Sequence, residues 1–400
     1  MFNKYYQDEL LYMRDLGREF AKNYPEAAPF LAEPGSDPGV ERMLEGFAFI
    51  SGKLREKIDD ELPEITHTLL ATFFPHYLQP VPAMTIMHFE PLPQFAREIH
   101  HISRGTPVDS VPVDGARCHF QTLYDVDLAP LRIADVSLSQ GTPAELRLKI
   151  QVIDPQAAGK FALSRLRLHL AGDVVVARAL NVCLHRHCGR VTVRVGERSV
   201  TLAQPAVRAV GFSTDESLAP GIPASATSQR LLHEYFAFPA KFMFVDVVGL
   251  EPAEDLISSG AFDLCFHFDR LPESMPPISV ANIQLNCTPA INLFTHPADP
   301  IRVSPERTEY LVRPAGINPA HFEIASVLSV MGLVRGASQP KPYRPYLNLT
   351  RSSHQDGGFY VERRRPALIG HGTDLYISLA GAPVPADRSA LELARDPASL

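Results

Sequence analysis

The densest run of ligand-type side chains in this 400-residue chain is Cys183-Leu184-His185-Arg186-His187-Cys188, four soft or borderline metal ligands in six positions. Zinc takes such residues in a tetrahedron. On a helix, however, positions 183 and 187 share a face while 185 points away, and Arg186 sits among the ligands. No second Cys/His pair lies at the spacing that would close the site. The expectation is a helix end with incidental thiols, its histidines favoured by the negative C-terminal dipole, and no metal or other cofactor. His100-His101 has no carboxylate close in sequence and reads as a polar loop. His233-Glu234 does not extend to HExxH, so the two-histidine helix face of a zinc protease is missing. Ser51-Gly52-Lys53 lacks the S-x-x-K spacing, and no GxSxG elbow, P-loop or GxGxxG occurs. The carboxylates Asp59-Asp60-Glu61 fall at a helix end, where water solvates them. Spacing therefore assembles no nucleophile with its base, and the chain reads as an interaction protein, not an enzyme. The rival from another class is a hydrolytic or carbohydrate-active β-domain enzyme, which would need carboxylates converging in a cleft.

The framework that must position these residues is proline-rich. Thirty-six prolines, about twice the usual ~5%, are spread along the chain instead of massed in a tract. That suits many short strands with proline-stopped loops. Charge is uneven: residues 1–64 hold 14 acids against 8 Lys/Arg, while the remaining 336 hold 31 against 30. An acidic head on a neutral body excludes a general nucleic-acid binder, which needs clustered cations to neutralise phosphates. The local exception is Lys341–Arg365, with six basic residues and two acids, expected to be a solvated loop rim. No window reaches the ~18 apolar residues of a spanning helix, so membrane insertion is not expected. Acids near the N-terminus replace the apolar core of a Sec signal. The five cysteines form no CxxC pair and read as reduced, mostly buried cytoplasmic thiols.

Residues 1–78 read as helices. Asn3 can cap a helix to about Tyr24, with Tyr6, Leu10, Met13 and Phe20 on one stripe, flanked by Tyr5, Tyr12 and Leu16. Asp37-Pro38 starts a second, a capping carboxylate followed by proline at the first helical position. Its common face carries Val40, Leu44, Phe47, Leu54 and Ile58. A third runs from Pro63 to Pro75. The apolar faces can pack on one another or against a partner, and the pattern leaves both open.

After Pro82 the period becomes alternating. Strands are expected at 84–89, 116–122, 146–153, 164–170, 242–250, 262–268, 283–285, 301–303, 309–312 and 375–379, with 322–334 either strand or loop. Gly172-Asp173 caps a helix to about Cys188, 191–195 and 199–202 form a hairpin, and 229–235 is a short helix. The Pro/Ser/Ala-rich stretch Ser213–Ser228 is the expected internal boundary. Met84–Pro93 and Phe262–Pro272 both run into His-Phe-acid and a Leu-Pro exit, a faint echo suggesting two related halves. The fold class is α+β and multidomain: a helical head at 1–78, a first β-rich domain with one helix at 79–228, and a second β-rich domain at 229–400.

Several segments resemble the TssF (ImpG/VasA) family of type VI secretion baseplate subunits. They are the opening Tyr5–Ala21, Ser36–Phe49 running into Lys57–Glu64, Pro75-His76-Tyr77-Leu78 with Pro80 and Pro82, Arg230–Phe242, and Leu285–Phe294 with Arg307-Thr308-Glu309-Tyr310. The resemblance implies a structural wedge component without catalysis. Two copies would join one TssG through bundled N-terminal helices, then recruit TssK and the sheath-initiating TssE around the spike hub. Such a component works in the cytoplasm, docked at the inner face of the envelope. Tyr6, Leu10, Met13, Phe20, Leu44, Phe47 and Leu54 are then the candidate partner-interface residues. Family members usually run well past 400 residues, so the part used for contacts between wedges is expected to be lacking from 229–400.

Overall fold

The computed structural model describes residues 2–26, 31, 37–59, 66, 69–70, 73–74, 77–78, 80–93, 97–113, 115–139, 141, 143–154, 162–218, 227–272, 275–304, 306–318, 321–333, 340–346, 358–367, 372–380 and 390–392. The architecture is α+β, in two compact units, Met1–Gln79 and Pro80–Leu400.

The first unit holds α1 (Phe2–Asn23) and α2 (Pro38–Asp59). Asp37 starts α2 as its side chain allows: Oδ1 accepts from Gly39 N at 2.7 Å and Val40 N at 3.4 Å. Pro38 behind it has no N–H to satisfy. Most of the expected third helix lies outside the described residues; within it, Phe74 N donates to the Leu70 carbonyl at 2.7 Å.

The second unit is built of sheets. Five antiparallel strands lie in the spatial order Arg198–Thr201, Cys188–Val195, Ala261–Phe268, Ala144–Val152, Leu131–Ser139. A four-stranded sheet runs Val207–Ala209, Phe244–Val248, Arg165–Leu170, Ile283–Gln284. Strict alternation makes the first of these sheets one-sided: Ala144, Leu146, Leu148, Ile150 and Val152 are all buried, and their neighbours are not. Leu148, Leu264 and Phe266 share one core with Leu168, Val245 and Val247 of the second sheet and with α3 (Val174–Val182). Each fully buried side chain of this size contributes about 1.5–3 kcal/mol. A third sheet runs Met84–His88, Cys287–Ile291, His119–Thr122, Pro107–Asp109. A seven-stranded sheet occupies Ile301–Glu392 around Tyr310, Val330, Tyr360 and Ile377.

These pairings overturn several expectations. Strands on both sides of residue 228 share sheets: Ala261–Phe268 lies between Ala144–Val152 and Cys188–Val195, and Cys287–Ile291 lies between Met84–His88 and His119–Thr122. The expected 228/229 boundary therefore does not separate the strands; loop composition says nothing about which strands pair afterwards. The echoed segments are not equivalent either, one being the edge of a four-stranded sheet and the other the centre of a five-stranded one. α3 stops at Val182, where a wider turn, Cys183–His187, hands over to the strand starting at Cys188. That splits the Cys/His run, burying Cys183 and Leu184. Burial pushes the Cys188 thiol up to about 11 and those of Cys265 and Cys287 to about 12. Among the described residues no three His, Cys, Asp or Glu side chains converge for a metal. His101 is not in a loop: His100–Ile102 pairs with Val126–Leu128, and His101 Nδ1 lies 2.9 Å from Asp127, a carboxylate 26 residues away. The basic run is not a loop rim, since Lys341–Pro345 and Phe359–Pro366 are paired strands. Arg363 and Arg365 both reach Glu309, at 3.0 and 2.5 Å.

Candidate partner interface

The fully buried residues of α1 and α2 are small or polar, while the large apolar ones are at most half-buried. Ala48 and Gly52 are buried on α2, Ala21 and Glu9 on α1. A Cβ on Gly52 would stand 3.1 Å from the Tyr6 nitrogen and 3.2 Å from its Cα, so the absence of a side chain is what lets the helices approach. Around that contact, Glu9 accepts from Ser51 Oγ at 2.9 Å and Arg55 at 2.8 Å, and Arg14 pairs with Glu41 at 2.8 Å. The Arg55 hydrogen bond, then that of Ser51, holds the Glu9 carboxyl below its usual range. Glu41 in turn raises Arg14. Gly52→Val is expected to cost about 1–3 kcal/mol by forcing backbone from backbone. A lower first transition in a helix-monitored melt of the full chain checks this.

Packing through small residues turns the bulky ones outward. Of the candidate interface residues, Tyr6, Leu10, Met13 and Leu44 are half-buried, whereas Phe20, Phe47 and Leu54 are exposed, Phe47 at 64%. Phe47 and Leu54 belong to a row the sequence reading recognised only in part: Met43, Phe47, Ile50, Leu54 and Ile58 are all more than half exposed. Their 4-3-4-4 spacing is the seam of an amphipathic helix that meets another. On α1, Tyr12, Leu16, Phe20 and Tyr24 recur every fourth residue and are also exposed. Met43 and Ile50 could have been found by counting heptads instead of a single 3.6-residue stripe. Ala48 and Gly52, small residues four apart, were the overlooked sign of the helix contact.

In the second unit, the segment Arg230–Phe242 lies over the loop 211–218 as a buried clamp. On α4 (Thr227–Ala237), Glu234 accepts from Ser217 Oγ at 3.0 Å and Leu218 N at 2.9 Å, and it takes Arg230 at 3.3 Å on both oxygens. Lys241 Nζ closes on the same carboxylate. Arg230 also donates to the Phe212 and Ser213 carbonyls, and Glu216 accepts from Gly211 N at 2.7 Å. Gly211 sits at φ 101°, and the Lys241 carbonyl lies 3.0 Å from where a Cβ would be, so only glycine fits. Desolvation lowers the Lys241 pKa, with Glu234 opposing it. Arg230, Glu234 and Lys241 are all buried, and together they fix the loop.

A helical pair with bulky apolar flanks, joined in sequence to a multi-sheet body whose buried charges fasten its own loops, defines an α+β protein made of surfaces and braces. The family model for TssF of the type VI secretion system matches residues 1–394, and the chain belongs to that family. It is 32% identical over 393 residues to the type VI secretion system component TssF1 of Pseudomonas aeruginosa, covering 92% of this chain and 63% of that protein. A chain in the cryo-electron microscopy structure of the type VI TssK-TssF-TssG baseplate subcomplex superposes with a TM-score of 0.73 at 26% identity, over 88% of this chain and 66% of that one. The chain thus spans less than two thirds of the length of both. No helix among the described residues is long and apolar enough to cross a membrane.

Proposed function

We infer that this chain is a structural wedge component of a bacterial type VI secretion baseplate, working through protein–protein contact and without catalysis. Membership of the TssF family and similarity to a chain of a TssK-TssF-TssG subcomplex support the setting. The observation that carries the reading is the exposed row Met43, Phe47, Ile50, Leu54 and Ile58 on a helix whose other side is already occupied. A TssG helix laid along that row would bury it, each side chain adding about 1.5–3 kcal/mol. TssK then joins the wedge; TssE, the spike hub and a second copy of this chain complete it, in the cytoplasm at the inner face of the envelope.

Co-expression with TssG tests the surface. Charge substitutions at Phe47 and Leu54, and with them Phe20 and Leu10, are expected to abolish co-purification. Phe47→Glu and Leu54→Glu should leave the melting of the isolated chain nearly unchanged, since exposed positions contribute little to the fold. Wild-type amounts of complex from those two variants would refute the surface.

A further inference from the structure

The outer face of the five-stranded sheet is mostly polar, and its charges do not balance. Register sets rows across it: Arg194, Asp263, Lys149 and Asp135 lie side by side, then Thr192, Cys265, Arg147 and Ser137, then Arg190, His267, Glu145 and Ser139. The alternate residues Leu148, Val193, Leu264 and Phe266 go into the core, which puts all three rows on the opposite face. Arg132, across from Gln151, extends that face along the outermost strand. Arg194 takes two of the acids, Glu145 at 3.4 Å and Asp263 at 3.7 Å, and His267 lies 3.6 Å from Glu145. Among the described residues no ion pair engages Arg132, Arg147, Lys149 or Arg190. Arg132 donates to Gln151 and Arg147 to Ser137, both at 3.2 Å and both neutral partners. Asp135 lies opposite Lys149 in register, and no ion pair engages it among the described residues. This excess of positive charge stands on a chain of net charge −7.

We propose that this face docks a carboxylate-rich surface of a partner protein, independently of the helical flank. Three of the four uncommitted cations are arginines, whose planar fork takes carboxylates through two parallel hydrogen bonds. The rows carry no large apolar side chain to anchor a dry contact, so the binding is electrostatic and weakens with salt. Alternation of sign along the row Arg194, Asp263, Lys149, Asp135 favours a protein over a nucleic acid. A duplex presents one sign of charge every ~1.7 Å and would meet those acids, whereas a protein can set its own cations against them.

The test uses the full chain with fluorescent poly-L-glutamate as probe and a DNA duplex of matched charge as comparison, by anisotropy at about 50 and about 200 mM salt. Polyglutamate is expected to bind and to weaken about tenfold or more with salt. The neutralised variant Arg132→Gln, Arg147→Gln, Lys149→Gln, Arg190→Gln should bind about tenfold more weakly than wild type at low salt, while Lys341→Gln, Arg344→Gln binds as wild type. If the fourfold variant melts early, the exposed pair Lys149→Gln, Arg190→Gln carries the comparison, with a loss of about threefold. Equal binding by wild type and the neutralised variant, or tighter binding of the duplex than of polyglutamate, would overturn the proposal.

Discussion

Replacing Glu234 with glutamine is expected to cost about 3–5 kcal/mol of unfolding free energy. Arg230 and Lys241 are 2% and 0% exposed and converge on this one carboxylate. Glutamine keeps the shape and an acceptor for Leu218 N but removes the charge on which both cations converge. Breaking a buried pair from one side leaves the other side uncompensated, which is why the loss exceeds that of a surface ion pair. Lys241→Met should cost markedly less, because Arg230 and Glu234 stay paired and burial already disfavours the lysine's charge. Urea denaturation checks both: midpoints should shift in that order at an unchanged slope. A Glu234→Gln shift under about 1 kcal/mol, the size of an exposed pair, would mean the clamp is solvated.

The second large effect is acid destabilisation through His169. Its ring is 6% exposed, lies 4.6 Å from the ring of Phe244, and has no partner on Nδ1. Burial pushes its pKa from 6.5 to about 4, with nearby His88 adding to the depression and a hydrogen bond to the Gln284 side chain opposing it. Between those values the unfolded chain binds a proton that the folded chain refuses. Stability is therefore whole above about pH 6.5 and falls as pH drops toward 4. The loss is about 2 kcal/mol by about pH 5 and about 3 kcal/mol by about pH 4. Melting temperatures of wild type and His169→Gln across this range isolate the effect from that of the carboxylates, which both proteins share. The variant's curve should be flatter by that amount, and parallel curves would show that His169 accepts its proton while folded.

Much of this fold was legible from neighbours in sequence. Asp37-Pro38 marks the start of α2 because capping needs only the next three residues. Alternation marks Ala144–Val152 and Ala261–Phe268 as strands because side-chain direction repeats every two positions. Asp173 announces α3 for the same local reason, accepting from Val175 N at 2.7 Å. Local signals fail where the partner is distant. Asp127 meets His101 and Tyr124 N meets Thr288 only after the sheets close, the latter across 164 residues. Cys287–Ile291, inside one of the family-like segments, gives no alternation at all, being buried at every position.

The sequence by itself determined that the head is helical and where α2 begins, but it left open whether the bulky apolar faces pack on one another or on a partner; α1, expected to be capped by Asn3, instead already runs from Phe2. The sequence also carried the family resemblance that the whole-chain match bears out. Tertiary structure alone decided which face turns inward. Periodicity defines a stripe but not its direction, and the close approach at Gly52 and Ala48 selects small side chains for the contact, leaving Phe47 and Leu54 outside. The order of the strands was likewise settled only by packing, because each strand's pattern fixes a buried side and not the identity of its neighbours.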